Sequence, residues 1–278
     1  MKTTLILLVA GGSLWGCGGT ADRTYTVSFD AVVGAEPFSC TKTYANIGTP
    51  STTISPQDFR LYTYGYVLER ANGESVPLTL DDDGTWQGQG VALLDFEDGT
   101  GTCTTNNPAT HTKVTGKAAA HDDYTSLSFT IGVPPELDHL NVVTAAAPLA
   151  DPNLFWSWNG GYRYWKLDVQ STVNPTYFFH IGAEDCAGSG GPTVTCTYPY
   201  LATINVAGFS PDTNHVAIDL ARVYAGSNLD AQVDGTIDPV TGCMSSDGDP
   251  ECNALFGTLG LGFEGAASPG PQTVFTAR

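Results

Sequence analysis

Two histidines and three tryptophans lie in one aromatic-rich part of the chain, and they are the residues best suited to chemistry. His139 follows a Pro-Pro pair in the loop GVPPELDHLN, and His180 ends the segment YFFH. Between them come Trp156, Trp158 and Trp165, three of the five tryptophans of the sequence. Neutral imidazoles suit copper, zinc or nickel better than calcium or magnesium. The cluster therefore indicates a transition-metal site, and the alternative is a packing cluster of tryptophans beside two loop histidines.

The position of His180 follows from the two-residue period of a strand. Successive side chains of a strand point to opposite faces. Tyr177, Phe179 and Ile181 share one face of the segment YFFHI, so His180 lies on the other face with Phe178. We expect the end of this strand to direct His180 into a site lined by loops. The alternative is a histidine at the rim of a sheet, hydrogen-bonded to the backbone.

The remaining three histidines are expected to lie outside this site. His111 and His121 are in polar stretches and are expected to be exposed to solvent. His215 opens a strand whose apolar residues lie on the other face, which favours a structural role. The sequence contains no nucleophile elbow, HExxH helix, Walker loop or dinucleotide fingerprint. We therefore expect that the protein is not an enzyme.

Aromatic residues of the same segment support a rival hypothesis of a different class. Trp156, Trp158, Tyr162 and Tyr164 are expected to be exposed in this case and to stack on sugar rings. The chain would then be a surface carbohydrate- or ligand-binding lipoprotein. A third hypothesis is purely structural, and under it neither histidine binds a metal.

The N-terminus predicts export and lipidation. Residues 1–16 combine a positive charge at Lys2, a short apolar run and a lipobox that leads into Cys17. This segment is too short to span a membrane as a helix and is typical of a lipoprotein signal peptide. We expect cleavage before Cys17, a lipid on Cys17 and a tether over residues 17–23. Gly18 favours the outer membrane, so the protein is expected to be lipid-anchored in the periplasm or at the cell surface.

The composition excludes some partners and favours a β protein. Lys and Arg number 11 against 29 Asp and Glu, a formal net charge of −18. So acidic a chain is not expected to bind nucleic acid, and it should meet a membrane only through its lipid. Only 14% of the residues are charged and 32 are glycine, as expected for many short strands joined by turns.

Alternating apolar residues predict roughly ten to twelve short strands and almost no helix. Residues 25–33 and 59–69 are clear examples. Residues 40–57 are expected to form a connection rich in Ser, Thr and Pro, and residues 252–261 a short helix. Neither a repeat nor a linker divides the chain. We therefore expect an all-β fold, a single β-sandwich-type domain over residues 24–278 with long disulfide-stapled loops.

Six cysteines follow Cys17, and they are expected to form disulfides. An even number of cysteines in an exported chain is typical of a disulfide framework. No pair has the CxxC spacing of a zinc site. Proximity in the sequence favours the first two of the following pairs and leaves the third: Cys186–Cys196, Cys243–Cys252 and Cys40–Cys103.

Five separated segments carry a resemblance to a known family. They are VALLDFEDGTGTC (91–103), FTIGVPPELDHLN (129–141), APLADPNLFWSWNGGYRYWKLD (147–168), FFHIGAEDC (178–186) and GCMSSDGDPECNALFGTLGL (242–261). In this order they resemble the metallo-mystery-pair four-Cys-motif family, also called the MbnP family. The resemblance implies an extracytoplasmic copper-binding protein paired with a di-haem partner of the cytochrome c peroxidase type, the MbnH type. In that family the partner is understood to oxidise a tryptophan of the copper protein to kynurenine, which then joins histidines at the copper.

The resemblance also assigns roles to individual residues. The family's histidine after the GVP motif falls on His139, where the usual Leu-Asn-His reads Leu-Asp-His, and that of its His-Leu-Gly motif falls on His180. Three tryptophans match the family's Trp-rich motif or its Trp-Gln pair, and any of them is a candidate for oxidation: Trp86, Trp156 and Trp158. The family's four cysteines fall on Cys186, Cys196, Cys243 and Cys252.

The leading hypothesis is a lipid-anchored copper-binding protein that holds copper through His139, His180 and a modified tryptophan. The protein would be the substrate of its haem partner. Imidazole ligands must be neutral, so such a site is expected to lose copper as its histidines are protonated, below roughly pH 6–6.5.

Overall fold

The computed structural model describes residues 21–103, 107–157, 160–231 and 240–278. The predicted signal peptide, the lipidated cysteine and the candidate Trp158 lie outside the described residues. In the part of the chain that is described, no helix has the length and apolar character needed to cross a membrane.

Short strands make up most of the regular structure. In chain order the strands are β1 (Asp22–Val33), β2 (Glu36–Pro37), β3 (Tyr44–Ile47), β4 (Thr52–Arg70), β5 (Ser75–Pro77), β6 (Thr79–Leu80), β7 (Gln87–Gly88), β8 (Val91–Asp95), β9 (Lys113–Ala119), β10 (Tyr124–Ile131), β11 (Phe155–Ser157), β12 (Gly161–Tyr162), β13 (Trp165–Gln170), β14 (Tyr177–Ile181), β15 (Glu184–Ala187), β16 (Thr195–Tyr198), β17 (Ala202–Ala207), β18 (Val216–Asp219), β19 (Gly242–Cys243) and β20 (Phe275–Ala277). The helices are α1 (Pro135–Asp138), α2 (Leu220–Val223) and α3 (Cys252–Thr258), with 3-10 turns at Pro152–Leu154 and Gly191–Thr193. The prediction of an all-β fold is confirmed.

The strands form two large sheets. One contains β20, β18, β1, β9 and β6 in that order, with β2 paired to β1. The other contains β17, β10, β4, β13, β14 and β19 in that order, with β3, β5 and β8 paired to β4, and β7 paired to β8. The pairs β1–β18 and β14–β19 are parallel. Two-stranded ribbons β11–β12 and β15–β16 lie outside the large sheets.

Aromatic side chains join the inner faces of the two sheets. Phe29 of β1 meets Phe129 of β10 with ring centroids 5.6 Å apart. Phe275 of β20 lies 5.6 Å from Phe129 and 5.8 Å from Trp165 of β13. The sheets therefore pack face to face as a sandwich. Trp165 is fully buried between them and belongs to this core.

Strand β4 organises the larger sheet. Its 19 residues pair with β13 along the first half and with β10 along the second. Gly65, at a φ of 66°, lies where the pairing with β10 shifts register. A bulge of this kind bends a strand and increases its twist. The bend lets one strand serve different neighbours, so that its first half lies beside β13 and β14.

The prediction that residues 40–57 form a connection is wrong. This stretch contains β3 and the start of β4, which pair with each other. Tyr44, Ile47 and Ile54 are buried there. These apolar residues are sparse among Ser, Thr and Pro, so the local sequence hides strands that tertiary pairing stabilises. The helix predicted over residues 252–261 is confirmed as α3.

Three disulfides staple the loops, and the predicted pairing is confirmed: Cys40–Cys103, Cys186–Cys196 and Cys243–Cys252. The first bond joins residues 63 positions apart, whereas the other two join residues 10 and 9 positions apart. In the chain-entropy model, a bond that closes a longer loop restricts the unfolded chain more. The Cys40–Cys103 bond therefore gives the largest entropic stabilisation of the three.

Replacing Cys40 and Cys103 together by serine is expected to lower the free energy of unfolding by about 4 kcal/mol, the chain-entropy value for such a loop. The matched control replaces Cys243 and Cys252, whose short loop predicts a loss of about 2.5 kcal/mol. Urea unfolding followed by circular dichroism measures both. A larger loss in the control pair would contradict the ordering by loop length.

Candidate functional site

Strands β13 and β14 place polar residues on the outer face of the larger sheet. In their antiparallel register, Lys166 lies opposite His180 and Leu167 lies opposite Phe179. Leu167 and Phe179 are fully buried in the core. Lys166, Asp168 and His180 therefore point to the other side of the sheet. The face predicted for His180 is confirmed.

The ring of His180 is buried and oriented by one carboxylate. The residue is 3% exposed, and Nε2 donates a 2.6 Å hydrogen bond to Oδ1 of Asp168. With the proton on Nε2, Nδ1 carries a lone pair. Among the described residues, this buried Nδ1 has no hydrogen-bond partner. Burial lowers the pKa of His180, and the hydrogen bond to Asp168 only partly opposes this shift. The imidazole is thus neutral, and the lone pair on Nδ1 is not used in a hydrogen bond to a described residue.

Opposite charges compensate the burial of Asp168. Nζ of Lys166 lies 3.2 Å from Oδ2 of Asp168 and also pairs with Asp58. Arg60 donates two hydrogen bonds, of 2.8 and 2.6 Å, to Asp58. Burial alone would raise the pKa of Asp168, but the hydrogen bond from His180, together with the charge of Lys166, lowers it. Asp168 is therefore ionised and holds His180 in one orientation.

His139 lies directly after α1 and is also 3% exposed. Its Nε2 is 3.3 Å from Oδ2 of Asp138 and 3.4 Å from Sγ of Cys196. The backbone N–H of Gly191 donates to the carbonyl oxygen of His139 over 2.9 Å. The ring lines a cavity of about 240 Å³, which Tyr164 also lines. A second buried imidazole thus faces a space large enough for a ligand.

Asp138 links His139 to β12 and to the residue that precedes β13. Its Oδ1 accepts from the backbone N–H of Tyr162 over 2.9 Å, and its Oδ2 accepts from the hydroxyl of Tyr164 over 2.6 Å. Gly161 has a φ of 62°, and a Cβ there would lie 2.5 Å from Oδ1 of Asp138. Only glycine permits this approach. Burial raises the pKa of Asp138 to about 6, although both hydrogen bonds oppose the rise.

Two groups of three ligand-type side chains come within 4.8 Å of one another in the described residues. They are His139 with Cys186 and Cys196, and Asp249 with Cys243 and Cys252. In both groups the sulfurs are joined in a disulfide, which offers no thiolate to a metal. In the oxidised protein, imidazole nitrogens are therefore the stronger candidate ligands.

Trp156, on the ribbon β11–β12, lies against His180. The two ring centroids are 6.4 Å apart. A Cβ at Gly182 would come within 2.2 Å of Cζ3 of Trp156, so the benzene half of the indole occupies space that glycine leaves. The guanidinium carbon of Arg163 lies 5.4 Å from the centroid of the indole. The structure thus brings one candidate tryptophan together with one predicted ligand.

The two predicted ligands are connected through β13. Tyr164 lies just before this strand, on the same face as Lys166, and its hydroxyl donates to Asp138 beside His139. Lys166 lies opposite His180 on the neighbouring strand. His139 and His180 are therefore on the same side of the larger sheet. That they share one copper ion stays a prediction.

Trp86, the other described candidate for oxidation, packs on a different histidine. Its ring stacks on His111 with centroids 5.3 Å apart and planes 5° apart. Nδ1 of His111 donates to the carbonyl oxygen of Leu93 over 2.6 Å, and burial lowers the pKa of His111. The expectation that His111 is exposed is wrong, because a β-bridge to Asp95 brings it under Trp86. His121 is half-buried as well. The sequence gives no local signal of the bridge.

The aromatic residues behind the carbohydrate-binding hypothesis are largely interior. Tyr162 is 0% exposed and Tyr164 is 2% exposed. Both hydroxyls are engaged, that of Tyr162 with the carbonyl oxygen of Leu149 and that of Tyr164 with Asp138. The expectation that these two tyrosines form an exposed stacking surface is therefore wrong.

Similarity to known proteins identifies the family. The family model of MbnP matches residues 22–245, which is most of the chain. The chain belongs to the MbnP family. A solved structure of MbnP from Methylosinus trichosporium matches with a TM-score of 0.82 and 28% sequence identity, covering 92% of this chain and 98% of that chain. A comparison with curated proteins found no match.

The residues of this MbnP-family chain fit a bound copper ion. Imidazole nitrogen is a preferred ligand of copper. Metal-binding histidines commonly donate their second ring N–H to a carboxylate, which fixes the tautomer. His180 has this arrangement, with Asp168 as the acceptor and a buried Nδ1 that lacks a partner in the described structure. His139 supplies a second buried imidazole on the same side of the sheet.

The pKa of His180 is expected to lie below the ordinary histidine value, because its ring is buried. Replacing Asp168 by asparagine removes a carboxylate that opposes this shift, so the pKa of His180 should fall further. An NMR titration of the imidazole resonances measures both values. His111 is the internal control, because its pKa is lowered by burial beside other residues and should not change.

The same shift predicts how stability depends on pH. Because the unfolded chain binds this proton more tightly, the contribution of His180 to the free energy of unfolding is complete above about pH 6.5. It is lost as the pH falls from there through the pKa of the folded state. A pKa of His180 above the ordinary value in the unchanged protein would contradict both expectations.

Proposed function

We propose that this member of the MbnP family is an exported copper-binding protein. Its copper is held by His139, His180 and a kynurenine, which a di-haem partner makes from Trp156. The observation that carries the proposal is the buried lone pair on Nδ1 of His180, without a partner among the described residues and next to Trp156. Membership of the family supports copper as the metal.

His180 supplies the ligand with the most defined orientation. Its hydrogen bond to Asp168 assigns the proton to Nε2 and the lone pair to Nδ1. A carboxylate in this position also makes the imidazole a stronger electron donor. Because burial keeps the ring neutral, protons compete weakly with a metal for Nδ1. The orientation set by Asp168 therefore makes Nδ1 the ligand atom of His180.

His139 supplies the second imidazole. Its position after α1 is fixed by the backbone bond from Gly191 and by the packing of its ring against Asp138 and Cys196. Asp138 stands where the family usually has asparagine, and it is held by Tyr162 and Tyr164. The carboxylate adds negative charge beside a ligand of a cation. This substitution therefore favours a more positively charged form of the metal site.

Trp156 is the candidate for oxidation that the contacts favour. Its ring lies against His180, whereas Trp86 stacks on His111. Opening the five-membered ring of an indole leaves an aromatic amine and a ketone on one benzene ring. The benzene half of Trp156 rests on Gly182, so the new amine stays close to His180. Two imidazoles and an amine would together offer copper three nitrogen donors.

The protein acts as the substrate of its partner and is not an enzyme in this proposal. The partner is a di-haem protein of the cytochrome c peroxidase type, and its haems carry the oxidation. A lipid on Cys17 would hold the copper protein at the membrane surface that faces this partner. Disulfides are typical of such an oxidising compartment, and three are present in the structure.

Protein purified from its native host is expected to contain stoichiometric copper. His139→Ala and His180→Ala should each remove it, and Asp168→Asn should weaken copper binding by about 10- to 100-fold through loss of ligand orientation. Elemental analysis and competition with a copper chelator measure these effects. His215→Ala is the matched control, because this exposed histidine pairs with Asp30. Repeated preparations without copper would sink the proposal.

Trp156 is expected to be recovered as kynurenine from the native host, with Trp86 intact. Mass spectrometry of the proteolytic peptides distinguishes the two residues. The physical reason is the contact with His180, because a donor is useful only beside the other ligands. Conversion of Trp86 or Trp158 with an intact Trp156 would overturn this assignment while leaving copper binding through the histidines open to test.

A further inference from the structure

Arg163 ties together the ribbon that carries Trp156. It directly follows β12, and its backbone N–H donates to the carbonyl oxygen of Leu154 over 2.8 Å. One terminal nitrogen of its guanidinium donates to the carbonyl oxygen of Asn153 over 2.7 Å. The same guanidinium lies over the indole of Trp156, 5.4 Å from the ring centroid. The side chain is thus held in place on one side of the indole.

One N–H donor of this guanidinium has no hydrogen-bond acceptor in the described structure. Nε of Arg163 is buried, and its N–H has no acceptor among the described residues. A buried donor without an acceptor carries the full penalty of its desolvation, and the penalty is larger for a charged group. The face of an indole attracts a cation but offers no oxygen to accept a hydrogen bond. The unmodified Trp156 therefore offers no hydrogen-bond acceptor to Nε of Arg163.

Kynurenine supplies the acceptor that is missing. Cleavage of the C2–C3 bond of the indole turns C3 into a ketone, whose carbon stays attached to the Cβ of Trp156. The benzene half is held against Gly182, so the half that opens is the one free to turn toward the guanidinium. We propose that Arg163 is a positioning residue for this oxidation, in which its Nε–H binds the ketone oxygen that the cleavage creates. This inference rests on the proposed function.

The oxidation balances with a peroxide as the oxidant. Trp156 and two equivalents of hydrogen peroxide, consumed at the haems of the partner, give N-formylkynurenine and two of water. The C2–C3 double bond loses four electrons, and each peroxide gains two. Water then hydrolyses the formyl amide, releasing formate and leaving the aromatic amine. Arg163 exchanges no electron or proton in these steps, and it stabilises the developing negative charge on the ketone oxygen.

The test compares Arg163→Gln and Arg163→Lys with the unchanged full chain, all produced in the native host. Arg163→Gln removes the charge and should lower the fraction of Trp156 converted by about tenfold, the effect of one charge-assisted hydrogen bond. Arg163→Lys keeps the charge but lacks the planar Nε–H. Its kynurenine should absorb at shorter wavelength, because a donor at the ketone stabilises the charge-transfer excited state. Peptide mass spectrometry and near-ultraviolet absorption measure the two effects.

The control is Arg23→Gln, because Arg23 also lies over an aromatic ring, 4.7 Å from the centroid of Tyr25, but far from Trp156 in its contacts. It should leave both readouts unchanged. Unfolding midpoints show whether each variant folds. If Arg163→Gln does not fold, the absorption of kynurenine in Arg163→Lys tests the inference by itself. Unchanged conversion and absorption in the folded Arg163 variants overturn this inference alone. An intact Trp156 in the unchanged protein overturns the proposed modification, and this inference with it.

Discussion

The hydrogen bond between His180 and Asp168 is the interaction on which the rest of the site depends. A carboxylate so deeply buried would be costly by itself, since charges inside a protein must be paired. On the outer face of β4 and β13, Lys166 pairs with both Asp168 and Asp58. Arg60 completes the pairing of Asp58. The apolar inner face of the same strands forms the core. The larger sheet is therefore buried on both faces. Its inner face packs in the apolar core of the sandwich, and its outer face forms a charged interior covered by loops.

Two glycines, which have no side chain, allow other segments to pack closely over this charged interior. Gly161 lets the backbone come close to the carboxylate of Asp138, and Gly182 leaves room for the indole of Trp156. Gly161 begins β12, and Gly182 directly follows β14. A methyl group at either position would separate the loop from the sheet and admit water. The low exposure of His139 and His180 follows from these close approaches.

Local pattern was sufficient for the features that depend on neighbouring residues. The alternation in YFFHI predicted the face of His180, and short separations predicted two disulfides. It was insufficient where distant segments decide burial. His111 is covered because its backbone bridges Asp95 and Trp86 stacks on it, and neither contact has a local signature. Tyr162 and Tyr164 are interior because they bind residues from earlier in the chain. Asp138 of α1 accepts from the backbone of Tyr162 and the hydroxyl of Tyr164, and Leu149 accepts from the hydroxyl of Tyr162.

The burial of charged residues also affects the net charge of the solvent-exposed surface. Lys and Arg number only 11 against 29 Asp and Glu, and some of these cations are turned inward. Arg60 is 4% exposed, and the side chain of Lys166 is 15% exposed. Six acidic residues are also buried, among them Asp58, Asp95 and Asp138, so burial removes more negative than positive charge from the surface. The excess of Asp and Glu over the whole chain nevertheless leaves the outer surface anionic. Such a surface enriches cations in the surrounding layer of water and steers them inward at a rate that dissolved salt diminishes.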